Sequence, residues 1–99
     1  MAQLVIEEEV TEDFTRFVDH LRQHDVEHAA ERIDEILEAI EILRTSPCIG
    51  RPSGTDGFRE LVIGAGSRGY IALYEYDSER DVVYVVAVRS QKEAGYRRA

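Results

Sequence analysis

Tryptophan is absent from this chain, cysteine and methionine occur once each, and proline occurs twice. Each shortage excludes something. A single thiol, Cys48, cannot form an internal disulfide, so a reducing, cytosolic setting is expected and Cys48 reads as structural. Long apolar runs are missing too. The longest, Val82 to Val88, falls far short of the roughly 20 residues that span a bilayer. The opening "MAQLVIEEEV" has three glutamates where a signal peptide would be basic, so neither targeting nor membrane attachment is expected. Basic charge is scarce: 12 Lys and Arg stand against 20 Asp and Glu, a net charge of −8 that disfavours a nucleic-acid binder. The deficit is uneven. Residues 1–47 hold 13 acidic and 4 basic side chains, a net of −9, whereas residues 48–99 hold 7 and 8, a net of +1. Any contact with an anion therefore belongs to the second half.

What is present suits one folded domain over residues 1–99, with 43% apolar content and a length that buries roughly two-thirds of the unfolded surface. Leu4 to Ile6 reads as a first strand. Thr11 suits an N-cap, with Glu12 and Asp13 in the favourable first turn of a helix that carries Phe14, Phe17, Val18 and Leu21. After a break near His24 and Asp25, a second helix runs to about Thr45, with Ala29, Ile33, Ile36, Leu37, Ile40 and Leu43 on one stripe, and Ser46 and Pro47 end it. Its opposite face carries Glu27, Glu31, Asp34, Glu35, Glu38 and Glu41, either solvated or facing a basic partner.

The stretch "PCIGRPSGTDG" reads as a loop. Three strands follow, at residues 58–63, 69–77 and 82–88, joined by "GAGSRG" and "SERD". The order is β-α-α-β-β-β, an α+β fold with a helical hairpin on one face of a mainly antiparallel four-stranded sheet. Alternation places Ile71, Leu73, Val83, Val85 and Ala87 under the helices and Tyr70, Tyr74, Tyr76 and Tyr84 on the far face. That tyrosine-rich face is either partly covered by the loop and the tail or a binding surface.

Recognised chemistry is sparse. Histidines 20, 24 and 28 have ligand spacing, but the break near Asp25 spoils it, and no metal or other cofactor is expected. The glycines of "GAGSRG" lie between strands and open no helix, so they form no phosphate cradle. What remains is a basic group, Arg51, Arg59, Arg68, Arg89, Lys92, Arg97 and Arg98, interleaved with Tyr70 and Tyr96. Arginines beside aromatic rings suit both a phosphodiester with a stacked base and a protein interface. Cleaving RNA would also need a general base and acid, and no histidine lies near the tail; the task would fall to Glu93, Tyr96 or Lys92.

The element order, together with "RELVIGAGSRGYIALYEYD" (residues 59–77) and "VVYVVAVRSQKEAGY" (residues 82–96), resembles the RelE/ParE superfamily of toxins from bacterial type II toxin-antitoxin modules. The resemblance covers nearly the whole chain. It implies a cytoplasmic toxin that arrests growth or stabilises a plasmid, and a cognate antitoxin that binds it as a hetero-oligomer. RelE-like members cleave mRNA in the ribosome; ParE-like members poison DNA gyrase. RelE-like nucleases usually carry a basic residue after the Gly-Tyr pair of the third strand and a basic residue or histidine just beyond the last strand; here Ile71 and Ser90 stand there. Ser90 also departs from the Arg-His-Gln that ParE-like relatives often show.

The resemblance therefore points to the ParE-like branch, with gyrase contacted through Arg68, Tyr70, Arg89, Ser90, Gln91, Lys92 and Tyr96. The antitoxin is expected on Phe14, Phe17, Leu21, Leu37, Tyr74 and Tyr84. Two alternatives stand beside it. One is a ribosome-dependent ribonuclease using Arg59, Arg68, Arg89, Lys92 and Tyr96; the other is a non-toxic module that only binds an antitoxin or another partner. In the leading reading the tail after Val88 projects from a rigid sheet end into solvent or a partner.

Overall fold

The first apolar run forms β1, Gln3–Ile6, in a computed structural model that describes residues 1–23, 29–64 and 69–96. Helix α1, Val10–Gln23, starts earlier than a Thr11 cap would allow. The N–H groups of Val10, Thr11 and Glu12 donate to the carbonyls of Glu7, Glu8 and Glu9 at 3.0, 3.0 and 3.1 Å. A backbone turn thus opens the helix, and Thr11 lies inside it. Helix α2, Ala29–Ile40, tightens into a 3₁₀ turn at Glu41–Arg44 and stops short of Pro47, close to the expected end. Its stripe is buried as the spacing predicts: Ile36, Ile40 and Leu43 have no exposed surface. His24, His28 and the expected break near Asp25 lie outside the described residues.

The sheet is mixed and has five strands rather than four. Besides β1 it contains β2 (Arg51–Pro52), β3 (Arg59–Ile63), β4 (Tyr70–Asp77) and β5 (Val82–Ser90). The order is β1-β5-β4-β3-β2, with β1 parallel to β5 and the other pairs antiparallel. The extra strand comes from the stretch read as loop. It is an edge strand, where a residue such as Pro52 is tolerated. Strand β5 also runs on to Ser90, so Arg89 and Ser90 belong to the sheet. The α+β class with two helices on one face stands.

The assignment of faces is reversed over most of β4. Leu73 pairs with Ala87 but Tyr74 pairs with Val85, so Val86 is an extra residue in β5, a β-bulge. The helix-facing set is Tyr70, Ala72 and Tyr74 with Val83, Val85 and Val88, in one core with Val10, Phe17, Ile36, Ile40 and Leu43. Tyr76, opposite Val83, shares that face. Ile71, Leu73 and Ala87 face away instead; Val83, Val85 and Tyr84 lie where alternation puts them. The tyrosines go inside because their polar ends find partners there. The Tyr74 hydroxyl accepts the Gly50 N–H at 2.8 Å, and a Cβ on Gly50 would sit 2.6 Å from that same oxygen.

Candidate functional site

The face away from the helices is built in rows across the strands. Leu73 is flanked by Glu60 and Ala87, and Ile71 by Val62 and Arg89. Beyond Ser90 the chain turns back: the Glu93 N–H donates to the Ser90 carbonyl at 3.0 Å, and the Lys92 N–H to the Ser90 hydroxyl at 3.2 Å. The Gln91 N–H reaches the Gly69 carbonyl at 3.0 Å, and the Gln91 amide fills the space a side chain at residue 69 would need. Tyr96 then donates its hydroxyl proton to Glu60 Oε2 at 2.6 Å, while the Arg89 guanidinium carbon lies 5.2 Å from the centre of the Tyr96 ring. Arg89 is on β5 and Glu60 on β3, so the ring spans β4 above Ile71 and Leu73. The tail is a strap folded over the sheet rather than a projecting segment.

The ionisable groups under this strap are held in fixed states. Burial alone would raise the Glu60 carboxyl, but donation from Tyr96 and from Arg51 Nε at 3.1 Å outweighs it, and Glu60 lies below the usual carboxylate range. Tyr96 moves the other way. Burial and the hydrogen-bonded Glu60 carboxylate push its phenol far above the ordinary tyrosine range. At neutral pH the pair is a carboxylate that keeps its charge and a phenol that keeps its proton. Neither member of that pair is suited to exchange a proton near neutral pH.

The structure gathers some of the expected residues and separates others. Arg89, Ser90, Gln91, Lys92 and Tyr96 come together at the end of β5, joined by Arg51. Arg59 does not join them: it sits opposite Tyr74 on the helix-facing side and donates to the Gly50 carbonyl at 2.9 Å. Tyr70 is also removed from the expected target surface, since its ring packs 4.9 Å from that of Phe17 in the core. Among the residues expected to meet an antitoxin, Phe17, Leu21 and Tyr74 are buried and present no surface to a partner, because α1 and β4 spend those side chains on the core. Phe14, Leu37 and Tyr84 are half-buried, the first two on the helical layer and Tyr84 on the opposite face of the sheet. Arg68, Arg97 and Arg98 lie outside the described residues.

Asp13, Arg16 and Glu93 tie the strap to α1, a role sequence reasoning gave to none of them: Arg16 was not singled out, Asp13 was read only as a first-turn acid and Glu93 only as a candidate proton shuttle. Asp13, 1% exposed, accepts the Val88 N–H at 3.0 Å and Arg16 Nη1 at 2.9 Å. Arg16 also grips Glu93, with Nε at 2.8 Å and Nη2 at 3.1 Å from the two carboxylate oxygens. The only local signal is the Asp13/Arg16 spacing on one helix face; the other partners are more than 70 residues away. Among the described residues no group of three or more His, Cys, Asp and Glu is placed to hold a metal ion, and no helix is long and apolar enough to cross a membrane.

Comparison with known proteins gives this arrangement its family. Among curated proteins no sequence matches. Among solved structures, the chain is similar to one from the chromosomal ParDE toxin-antitoxin system of P. aeruginosa, with 19% identity and a TM-score of 0.75 over 91% of this chain and 96% of that one. It is also similar to a chain of the intact E. coli RelBE toxin-antitoxin complex (17% identity, TM-score 0.61, 94% of this chain and 100% of that one). A third match is the isolated E. coli RelE toxin (14% identity, TM-score 0.61, 95% and 88%). These likenesses establish the shared fold. The family described as the ParE toxin of the type II toxin-antitoxin system parDE matches residues 4–95. The chain belongs to that family of toxins, within the RelE/ParE superfamily.

Proposed function

We propose that this toxin inhibits DNA gyrase by a protein-protein contact centred on the strap and the adjoining end of β5, and that a cognate antitoxin neutralises it. The observation that supports this reading is the hydrogen-bonded Glu60–Tyr96 pair beside Arg89 and Lys92: a carboxylate held below its usual range and a phenol held above its own make shaped, charged surface, and neither member of that pair is suited to trade a proton near neutral pH. A second feature supports it. The position after Gly69 and Tyr70 that RelE-like nucleases are expected to fill with a basic residue is Ile71, 4% exposed and directly opposite Arg89. A surface of this kind needs no bond-making residue to jam a partner enzyme. An antitoxin reaching Phe14, Leu37 and Tyr84 has to pass round an edge of the sheet, in keeping with a segment that folds as it binds.

The test compares purified wild type with Lys92→Ala, whose exposed side chain leaves the core untouched. Wild type is expected to block gyrase supercoiling and to leave ribosome-bound mRNA intact; Lys92→Ala should weaken inhibition by about tenfold, the loss of roughly 1–2 kcal/mol at an interface contact. Cut mRNA with normal supercoiling would replace this reading with the ribonuclease. Normal growth on induced expression would leave only a binding module.

A further inference from the structure

We propose that Arg16 is a positioning residue for the toxin's contact surface, holding the strap through Glu93 so that Arg89, Lys92 and Tyr96 are presented together. The proposal rests on the tail being the target contact. Its origin is a gap in the sheet. β1 stops at Ile6 opposite Val85, and its last bond to β5 is from the Glu7 N–H to the Val85 carbonyl at 2.9 Å. β5 continues to Ser90 without that neighbour. Helix α1 completes the edge with side chains: Asp13 Oδ2 takes the Val88 N–H, and Arg16 Nη2 lies 3.5 Å from the Val88 carbonyl. These bonds anchor Arg16 to the last rigid part of the sheet.

From that anchor Arg16 also reaches outward, Nη2 being shared between the Val88 carbonyl and the strap. Nε and Nη2 form a fork on both oxygens of Glu93. Glu93 passes the constraint on: its Oε2 accepts the Ser90 N–H at 3.2 Å, and its carbonyl accepts Arg89 Nη1 at 2.9 Å. Arg89 in turn packs against the Tyr96 ring. A chain of direct contacts therefore runs from α1 to the target-facing residues. Arg16 and Glu93 are each 23% exposed, and a partly solvated pair adds little to global stability. A two-pronged fork does fix orientation, which is what a presenting strap requires.

The test is a double-mutant cycle on the full chain with Arg16→Ala, Glu93→Ala and both together, read by gyrase inhibition, thermal midpoint and amide hydrogen exchange. Glu93→Ala is included because it leaves the Asp13–Arg16 pair in place. Each single variant is expected to inhibit about tenfold less well and the double variant no worse than either, while the Glu93 amide exchanges at least about tenfold faster and the Val83 amide is unchanged. Arg16→Lys, which keeps a charge that can reach one carboxylate oxygen, should recover part of the inhibition. Losses that multiply in the double variant, or a Glu93 amide as protected as in wild type, would overturn the proposal. If wild type leaves gyrase untouched, the target assignment fails alone and the exchange measurement still decides whether Arg16 holds the strap.

Discussion

The residue that organises the site is Tyr96, and its behaviour with pH follows from its two neighbours. Glu60 has a lower pKa in the folded protein than in the unfolded chain, so its contribution is complete above the ordinary glutamate value of about 4.3 and fades as pH falls through the folded value. Tyr96 has a higher pKa when folded, so its contribution is complete below about 10 and fades as pH rises through the folded value. The strap is therefore firmest between those limits. Thermal midpoints of wild type and Tyr96→Phe measured across pH should differ most around neutrality, by about 1–2 kcal/mol equivalent, and converge at both extremes. A difference that does not vary with pH would mean the hydroxyl is not bonded to Glu60. Tyr96 and Arg89 were legible in the sequence as members of one basic and aromatic group, though not as a pair. Glu60 was not, because nothing local to "FRELVI" says that its glutamate will meet a residue 36 positions away.

At the scale of elements, the local signals were good guides to what forms and poor guides to which way it faces. Helical spacing placed the buried stripe of α2, and apolar runs placed β1, β3, β4 and β5 to within a few residues. Strict alternation then failed at Val86, because one extra residue in β5 shifts every side chain beyond it to the other face. The assumption that phenols seek water failed with it, since Tyr74 satisfies its hydroxyl on the Gly50 backbone while fully buried. Deleting Val86 tests the bulge. With the ladder made regular, Val83, Val85 and Val88 keep their partners and their helix-facing side, so the variant should still unfold cooperatively, within about 1 kcal/mol of wild type. A loss of cooperative unfolding by circular dichroism would contradict the assignment of Val86 as the extra residue.

For the whole molecule, the decisive fact is the place of β5, which lies between β1 and β4 and takes bonds from α1 side chains as well. The fold class was readable because element order alone suggests helices on one face of a sheet. The position of β5 was not readable in detail, since the parallel pairing with β1 joins residues about 80 apart, Gln3 with Val82 for example. The same topology predicts that no smaller part stands alone. A chain ended at Asp81 keeps both helices and four strand segments, yet β1 and β4 lose the strand that joins them. Far-ultraviolet circular dichroism and one-dimensional NMR should show it unfolded; a native-like spectrum would contradict the role given to β5.

That position has a consequence for the timing of synthesis. The ribosome delivers β5, an interior strand, after both edge strands and both helices, so an emerging chain has nowhere to place Val10, Ile36 or Tyr74 until β5 is out. Sheet and strap are completed together, as β5 and the residues after it emerge. A half-made toxin is consequently open to proteases and presents no strap to any target, and the cell meets a competent molecule only when the strand carrying Arg89 has been delivered.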